Sequence, residues 1–264
     1  MVGAFGHGFG PGAGLLAGLI GIGGGIVIVP VVFYGLVEGG TPADQAAHVA
    51  VGTSLAAILP AAIVSSLAHW RSGNTDRRFS RDWGPAIATG VVVAQLAAPH
   101  VRGSVMTGIF ALLCLTFAAR FAFPDRFGPV MEQPPAHGFR SIAGTVIGLC
   151  SGLAGVGGGI LTNIVMTVAG MPMHKSIGRA AAAGVVVSLP ATLVAAFASG
   201  ASGPTRLGSI DLAVWMAVAP VQAAAAWFGA RLAQRVAAKN LSRIMAVVLL
   251  ATGVIMLHSS VAGR

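Results

Sequence analysis

Long apolar runs separated by short polar connections extend along the whole chain. Each run is long enough to cross about 30 Å of hydrocarbon as a helix, or to enter it and turn back. The eight runs are Gly12–Val37, Ala46–Trp70, Trp83–Val101, Gly103–Phe123, Phe139–Gly170, Ile177–Gly200, Ile210–Leu232 and Ile244–Ser260. The connections are too short to fold as a soluble domain. The pattern therefore predicts an all-α polytopic membrane protein.

Composition and charge agree with this class. Of the 264 residues, 55% are hydrophobic and 9% are charged, whereas charged residues make up about a quarter of a soluble domain. Mean hydropathy is +0.84. The formal net charge is +9, but the basic residues are scattered through short connections, which argues against a nucleic-acid partner. The lipid bilayer is the expected environment, which the chain is expected to cross several times.

Two glycine-rich stretches are nearly identical. Gly18–Ile26 reads GLIGIGGGI and Gly152–Ile160 reads GLAGVGGGI, with seven of nine letters the same. Each contains a glycine triplet inside an apolar run, and glycine favours unwinding of a helix there. Paired breaks in corresponding positions of two halves are typical of a transporter's binding site. The triplets are Gly23, Gly24, Gly25 and Gly157, Gly158, Gly159.

The distribution of lysine and arginine indicates how the runs cross the membrane. If all eight runs span it, the sixteen basic residues divide nine to seven between the two sides. If the first and fifth runs instead enter as far as the glycines and turn back, thirteen lie on one side and only Arg102, Arg206 and Arg264 on the other. The second division fits the excess of basic residues on the cytoplasmic side. The alternative is eight ordinary spans in which glycines only permit close helix packing.

A re-entrant hairpin followed by three spans crosses the membrane an odd number of times, so a second copy would start on the opposite side. The sequence thus predicts two inverted repeats, each with a glycine-broken re-entrant helix and three transmembrane helices. We place the first repeat at residues 1–123, a proline-containing cytoplasmic linker at 124–138 and the second repeat at 139–264.

The helix that restarts after each break exposes N–H groups without intrahelical partners, and its dipole adds positive character. Two such ends facing each other would bind a small anionic substrate without a buried lysine or arginine. Uncharged polar residues near mid-depth would support the anion: Thr53, Ser54, Gln95, Asn163 and Gln222, in addition to the glycine triplets, with Thr162, Ser188 and Thr192 at similar depth. For each hydroxyl, the alternative is a bond to the carbonyl four residues earlier.

Two residues lie at the mouths of spans. His48 and Arg179 occupy neighbouring positions of the aligned repeats, each just after a predicted hairpin. Both would attract anions into a vestibule. The alternatives are an ordinary loop histidine and an arginine that anchors topology at the interface.

Other chemistry has little support in the sequence. No His or Cys pair has a metal-ligand spacing, and no acidic residue lies deep in an apolar run. We therefore expect no metal, no cofactor and no enzymatic activity. A passive anion channel and a thiol relay through Cys150 are the alternatives to a transporter.

The glycine motifs resemble those of the sulfite exporter TauE/SafE family of membrane permeases. The matching segments are GLIGIGGGIVIVP at 18–30, AVGTSLAAILPAA at 50–62, SGN at 72–74 and GLAGVGGGILTN at 152–163. The resemblance implies a secondary permease that exports small sulfur-containing anions, such as sulfite or organosulfonates, across the inner membrane. Some relatives handle other small organic anions.

The second half departs from the first at one motif. Ala183 and Gly184 stand opposite Thr53 and Ser54 in the aligned repeats. The first repeat is thus expected to supply more of the polar contacts. The sequence does not decide between a monomer and a homodimer.

Overall fold

The computed structural model describes residues 25–75, 77–123, 137–197, 202–203, 205–233 and 238–262. Gly23, Gly24 and residues 124–136 of the predicted linker lie outside these residues. The described residues form nine α-helices: α1 Gly25–Glu38, α2 Ala43–Arg71, α3 Arg77–Ala97, α4 Gly103–Ala122, α5 His137–Ala154, α6 Gly159–Val168, α7 Met173–Phe197, α8 Leu212–Ala233 and α9 Ala238–Ala262. A 3-10 turn, Ala98–His100, connects α3 to α4.

A small sheet interrupts the helices between α7 and α8. Its strands are β1 Ser202–Gly203, β2 Arg206–Leu207 and β3 Ile210–Asp211, which pair antiparallel in chain order.

Within the described ranges, three helical segments are long and apolar enough to cross a membrane: Ala43–Arg71, Gly103–Ala122 and Lys175–Phe197. Large apolar side chains also face outward, with Ile142 70% and Phe197 76% exposed. Such surfaces suit lipid rather than water. The predicted all-α membrane architecture is therefore confirmed, whereas the inverted arrangement of the two repeats stays a prediction.

Contacts between helix ends define two faces of the molecule. On the first, which we call the basic face, the turn after α2 packs against the start of α7, where a side chain on Gly178 would collide with Asn74. α3 and α5 also begin here, because Arg140 Nη1 lies 3.1 Å from Asp82 Oδ2. The basic face thus contains the end of α2 and the beginnings of α3, α5 and α7.

On the opposite face, α2 begins beside the connection from α3 to α4. The Nε2 atom of His48 lies 3.0 Å from the carbonyl oxygens of Ala98 and Val101. The Asp44 carboxylate accepts the N–H group of Gly103. α2 and α3 therefore run across the molecule in opposite directions, and α4 starts where α3 ends.

Glycines bring α3 and α5 into close contact. A Cβ atom on Gly144 would lie 2.9 Å from Ala86 Cβ, and one on Gly152 would lie 2.7 Å from Ala94 Cβ. Later residues of α3 contact later residues of α5, so the two helices run parallel. Small residues at the contact let their backbones approach closely. This contact sets the position of α5 along α3 and hence the distance of the second glycine motif from the basic face.

The chain reverses direction between α5 and α6. α6 lies beside the first turns of α7, where the Ser176 hydroxyl donates to the Asn163 carbonyl at 2.9 Å. Only residues 169–172 connect the two helices. Since α5 and α7 both begin on the basic face, the segment between them enters and leaves on that face. The fifth apolar run is not one continuous helix.

Candidate functional site

The break in the fifth run comprises the four residues between Ala154 and Gly159. Gly155 and Gly158 have φ angles of +71° and +68°, a conformation that costs glycine nothing but strains other residues. Gly157 is buried between them, and Gly159 already begins α6. Gly158 is the N-cap residue and makes no side-chain cap. The start of α6 therefore lacks the cap that serine, threonine or aspartate would provide.

The first glycine motif meets this break inside the protein. A Cβ atom on Gly25, the first residue of α1, would lie 2.6 Å from the carbonyl oxygen of Gly155 and 3.1 Å from Val156 Cα. The beginnings of α1 and α6 are thus close to one short stretch of backbone. Only glycine at position 25 permits this approach.

Three buried polar atoms around the break have no hydrogen-bond partner within the described part of the chain: Ser151 Oγ, Thr162 Oγ1 and Asn163 Nδ2. All three residues are fully buried. Ser151 Oγ would lie 3.5 Å from a Cβ atom on Gly158, so this hydroxyl faces the start of α6. The single hydroxyl proton of Ser176 is shared between the Asn163 carbonyl oxygen and Oδ1, at 2.9 and 3.0 Å. Asn163 Nδ2 has no partner among the described residues.

An unsatisfied buried donor costs about 1–3 kcal/mol. Hydroxyl and amide N–H groups gathered at an uncapped helix start therefore favour a ligand that accepts hydrogen bonds.

The carbonyl groups of the same stretch already accept hydrogen bonds. Gln95 Nε2 donates to one of them at 2.7 Å, and the Ser54 hydroxyl donates to another at 2.9 Å. Backbone N–H groups bond to two more. The occupied carbonyl oxygens are those of Ser151, Gly152, Gly155 and Val156. These four carbonyls are thus occupied, whereas within the described residues the amide N–H groups of Asn163 are not.

Thr53, another predicted residue, makes a different contact. The Thr53 hydroxyl accepts the N–H group of Asp211 at 2.9 Å, so it links α2 to strand β3. Gln222 is buried in α8. The structure therefore brings Ser54, Gln95 and Asn163 to the second break, together with Gly25 and the second glycine triplet, and places Thr53 at the small sheet.

The hydroxyls of Ser188 and Thr192 follow the simpler alternative. Each donates to the carbonyl oxygen four residues earlier, at 2.6 and 2.7 Å. Ser151, in contrast, was missed because it precedes the repeated motif by one residue. Its position immediately before a glycine break was the available signal.

The described residues contain no group of three or more His, Cys, Asp or Glu side chains that could hold a metal ion. Cys150 is a half-buried free thiol in α5.

A family model described as "Sulfite exporter TauE/SafE" matches residues 7–256. A probable membrane transporter protein of Haemophilus influenzae is 32% identical over 177 residues, which cover 67% of each chain. A probable membrane transporter protein of Methanocaldococcus jannaschii is 24% identical over 92% of this chain and 91% of its own. The probable membrane transporter protein YunE of Bacillus subtilis is 26% identical over 94% and 95%. No solved structure matches the chain.

The family match extends from before the first glycine motif into the last helix. It includes both glycine motifs and every residue of the site described above. The protein therefore belongs to the sulfite exporter TauE/SafE family of membrane transporters.

Proposed function

We propose that the protein is a secondary transporter of small sulfur-containing anions, such as sulfite or organosulfonates, and that the anion binds at the start of α6. The observation that carries this proposal is that Ser151, Thr162 and Asn163, beside an uncapped helix end, each have a donor without a partner within the described part of the chain. An oxyanion would accept hydrogen bonds from these side chains and from the first N–H groups of α6.

The chemistry of the break favours an anion over a cation. The carbonyls of Ser151, Gly152, Gly155 and Val156, which a cation could otherwise use, already accept hydrogen bonds. The amide N–H groups of Asn163 can interact only with an acceptor. The positive end of the α6 dipole adds roughly half a unit of charge with the sign that attracts an anion. Neutral donors also suit a transporter, because a fully buried lysine or arginine would hold the anion too tightly for release.

We further propose that the two halves are inverted repeats in the inner membrane, with the basic face in the cytoplasm. Support comes from α2 and α7, each of which follows a glycine motif and its short helix. α2 starts on the opposite face and α7 on the basic face. Movement of one repeat against the other would then expose the site alternately to the two sides.

The proposal predicts opposite effects of Thr162→Val on stability and on transport. Valine keeps the shape of threonine but removes a buried hydroxyl that has no partner among the described residues, so the thermal midpoint of the purified protein should rise. The bound anion would also lose the hydrogen bond from this hydroxyl. KM for labelled sulfite in proteoliposomes should therefore rise about tenfold, since a loss of about 1.4 kcal/mol of binding free energy is a factor of ten.

Thr116→Val is the matched control. The Thr116 hydroxyl donates to the Leu112 carbonyl at 2.7 Å on an exposed part of α4, so KM should not change. Wild-type kinetics in Thr162→Val would show that Thr162 does not contact the anion. A lowered midpoint would indicate a structural role for its hydroxyl.

The substrate class and the transport mode need separate measurements. Sulfite and methanesulfonate should raise the thermal midpoint of the wild-type protein more than acetate does, because a bound ligand stabilises the folded state. Sulfite loaded on the inside of proteoliposomes should accelerate uptake of labelled sulfite, as expected of a carrier. Rates far above those of carriers, without this acceleration, would identify a passive anion channel instead.

A further inference from the structure

We infer that Arg179 is the residue that admits the anion to this site from the basic face. The inference rests on the proposed function and assigns to it a specificity-determining side chain. Arg179 belongs to the second turn of α7, beside the helix whose start forms the site.

The side chain of Arg179 is positioned between two helices that flank the site. Its Nη1 atom lies 3.8 Å from the Met166 sulfur in α6. Its guanidinium carbon lies 5.7 Å from the centre of the Phe79 ring in α3, within the range of a cation–π interaction. Phe79 is buried and stacks on Trp83, so the ring provides a fixed platform for the guanidinium.

This position is one helical turn from the proposed donors. Ser176, which bonds to Asn163, and Arg179 are three residues apart on α7 and therefore share a face of that helix. Asn163 and Met166 are likewise three residues apart on α6. α7 begins on the basic face, so the backbone of Arg179 is one turn farther from that face than Ser176. Its guanidinium, however, reaches Met166, which follows Asn163 in α6 toward the basic face, and Phe79 in the first turn of α3. The guanidinium therefore lies on the basic-face side of the Asn163 amide, in the direction from which an anion would enter.

The charge of Arg179 supplies what the site itself lacks. The proposed donors are all neutral, so they cannot attract an anion over distance. A guanidinium attracts it electrostatically, and its planar array of N–H groups matches two oxygens of a sulfite or sulfonate group. A partly buried arginine at the entrance can perform this role without holding the anion at the final position.

Two comparisons set Arg179 apart from the other basic residues. Arg78 and Arg81 on the same face have side chains 81% and 83% exposed and pair with Asp82, as expected for residues that anchor topology. His48, the repeat-related residue at the opposite face, contacts backbone carbonyls with both ring nitrogens. Of these four residues, only Arg179 contacts the helix that starts at the proposed site.

The test measures sulfite uptake into proteoliposomes by wild type, Arg179→Gln and Arg179→Lys, with Arg81→Gln as a charge-matched control on the same face. Arg179→Gln should raise KM about tenfold at low ionic strength, in line with electrostatic steering, while Vmax changes little. Its KM should also depend less on added salt than that of the wild type. The KM of Arg179→Lys should lie between those of the wild type and Arg179→Gln, and the KM of Arg81→Gln should equal that of the wild type.

An unchanged KM and salt dependence in Arg179→Gln would overturn the inference. So would an equal loss in the Gln and Lys variants accompanied by a lowered thermal midpoint, because it would indicate a packing role. If Arg179→Gln does not fold, the Lys variant decides: a higher KM at an unchanged midpoint supports the inference, and a wild-type KM overturns it. Absence of sulfite transport by the wild type, or wild-type kinetics in Thr162→Val, would instead count against the proposed function.

Discussion

Replacing Gly158 with alanine is expected to abolish sulfite transport. Gly158 has a φ angle of +68°, and a residue with a side chain costs about 1–2 kcal/mol in this conformation. The new Cβ atom would also lie 2.6 Å from Val187 Cγ2, and such overpacking typically costs about 1–3 kcal/mol. Both effects act on the residue that precedes α6, so the first N–H groups of the helix would be displaced. Uptake of labelled sulfite into proteoliposomes measures the loss.

Gly73→Ala is the matched control for this substitution. Gly73 has a φ angle of +71° but has nothing within 4 Å of an added Cβ atom. It should therefore lower the thermal midpoint through backbone strain and leave KM unchanged. Adding Val187→Ala to Gly158→Ala removes the collision but not the strain, so transport should return only in part. Full transport by Gly158→Ala alone would contradict the role of this glycine.

The glycine repeat predicted the position of the break closely, but not its geometry. The triplet at 157–159 was expected to unwind the fifth run, and the structure has the break at residues 155–158. The left-handed conformations are at Gly155, two residues before Gly157, and at Gly158, one residue after it. Composition indicates that a helix can break in such a segment. Which glycine turns the chain depends on neighbours such as Val187, which no local pattern reveals.

The polar side chains were harder to assign than the glycines. Thr53 and Ser54 are adjacent in the sequence, so they point to different neighbours on a helix. One contacts Asp211 and the other Gly155, which are 158 and 101 residues away. Hydropathy predicts that both residues lie near the middle of the membrane, but it does not reveal partners so distant in the chain. Within the described residues, the donors without a partner at the second break are those of Ser151, Thr162 and Asn163, which all belong to the second repeat.

Arg179 is a residue whose location, unlike the partners of Thr53 and Ser54, could be predicted from the sequence. Its place at the mouth of a span was evident from the sequence, and so was its pairing with His48 in the aligned repeats. The structure separates the two, because the neighbours of His48 are backbone carbonyls and those of Arg179 are Phe79 and Met166. Neighbouring positions of the aligned repeats can therefore differ in chemistry.

The second large effect is expected at Gly25, where the two glycine motifs meet. A Cβ atom at this position would lie 2.6 Å from the Gly155 carbonyl oxygen and 2.9 Å from Ile58 Cδ1. The isoleucine tip can move, but the carbonyl belongs to the backbone of the break and is held by Ser54. Gly25→Ala should therefore push α1 away from the break and reduce transport about 100-fold, as misplacement of about 1 Å does in other precisely arranged sites.

A second substitution and a control test this explanation. If the backbone contact is the cause, Ile58→Val added to Gly25→Ala should not restore sulfite uptake, because the carbonyl remains in place. Gly84→Ala in α3, where the nearest atom would be 3.9 Å from the new Cβ, should transport normally and be at least as stable as the wild type, since alanine favours helix. Recovery of uptake in the double variant would show that Ile58 alone is responsible. The meeting of the two motifs would then be a packing contact, and the anion site would depend on the second break only.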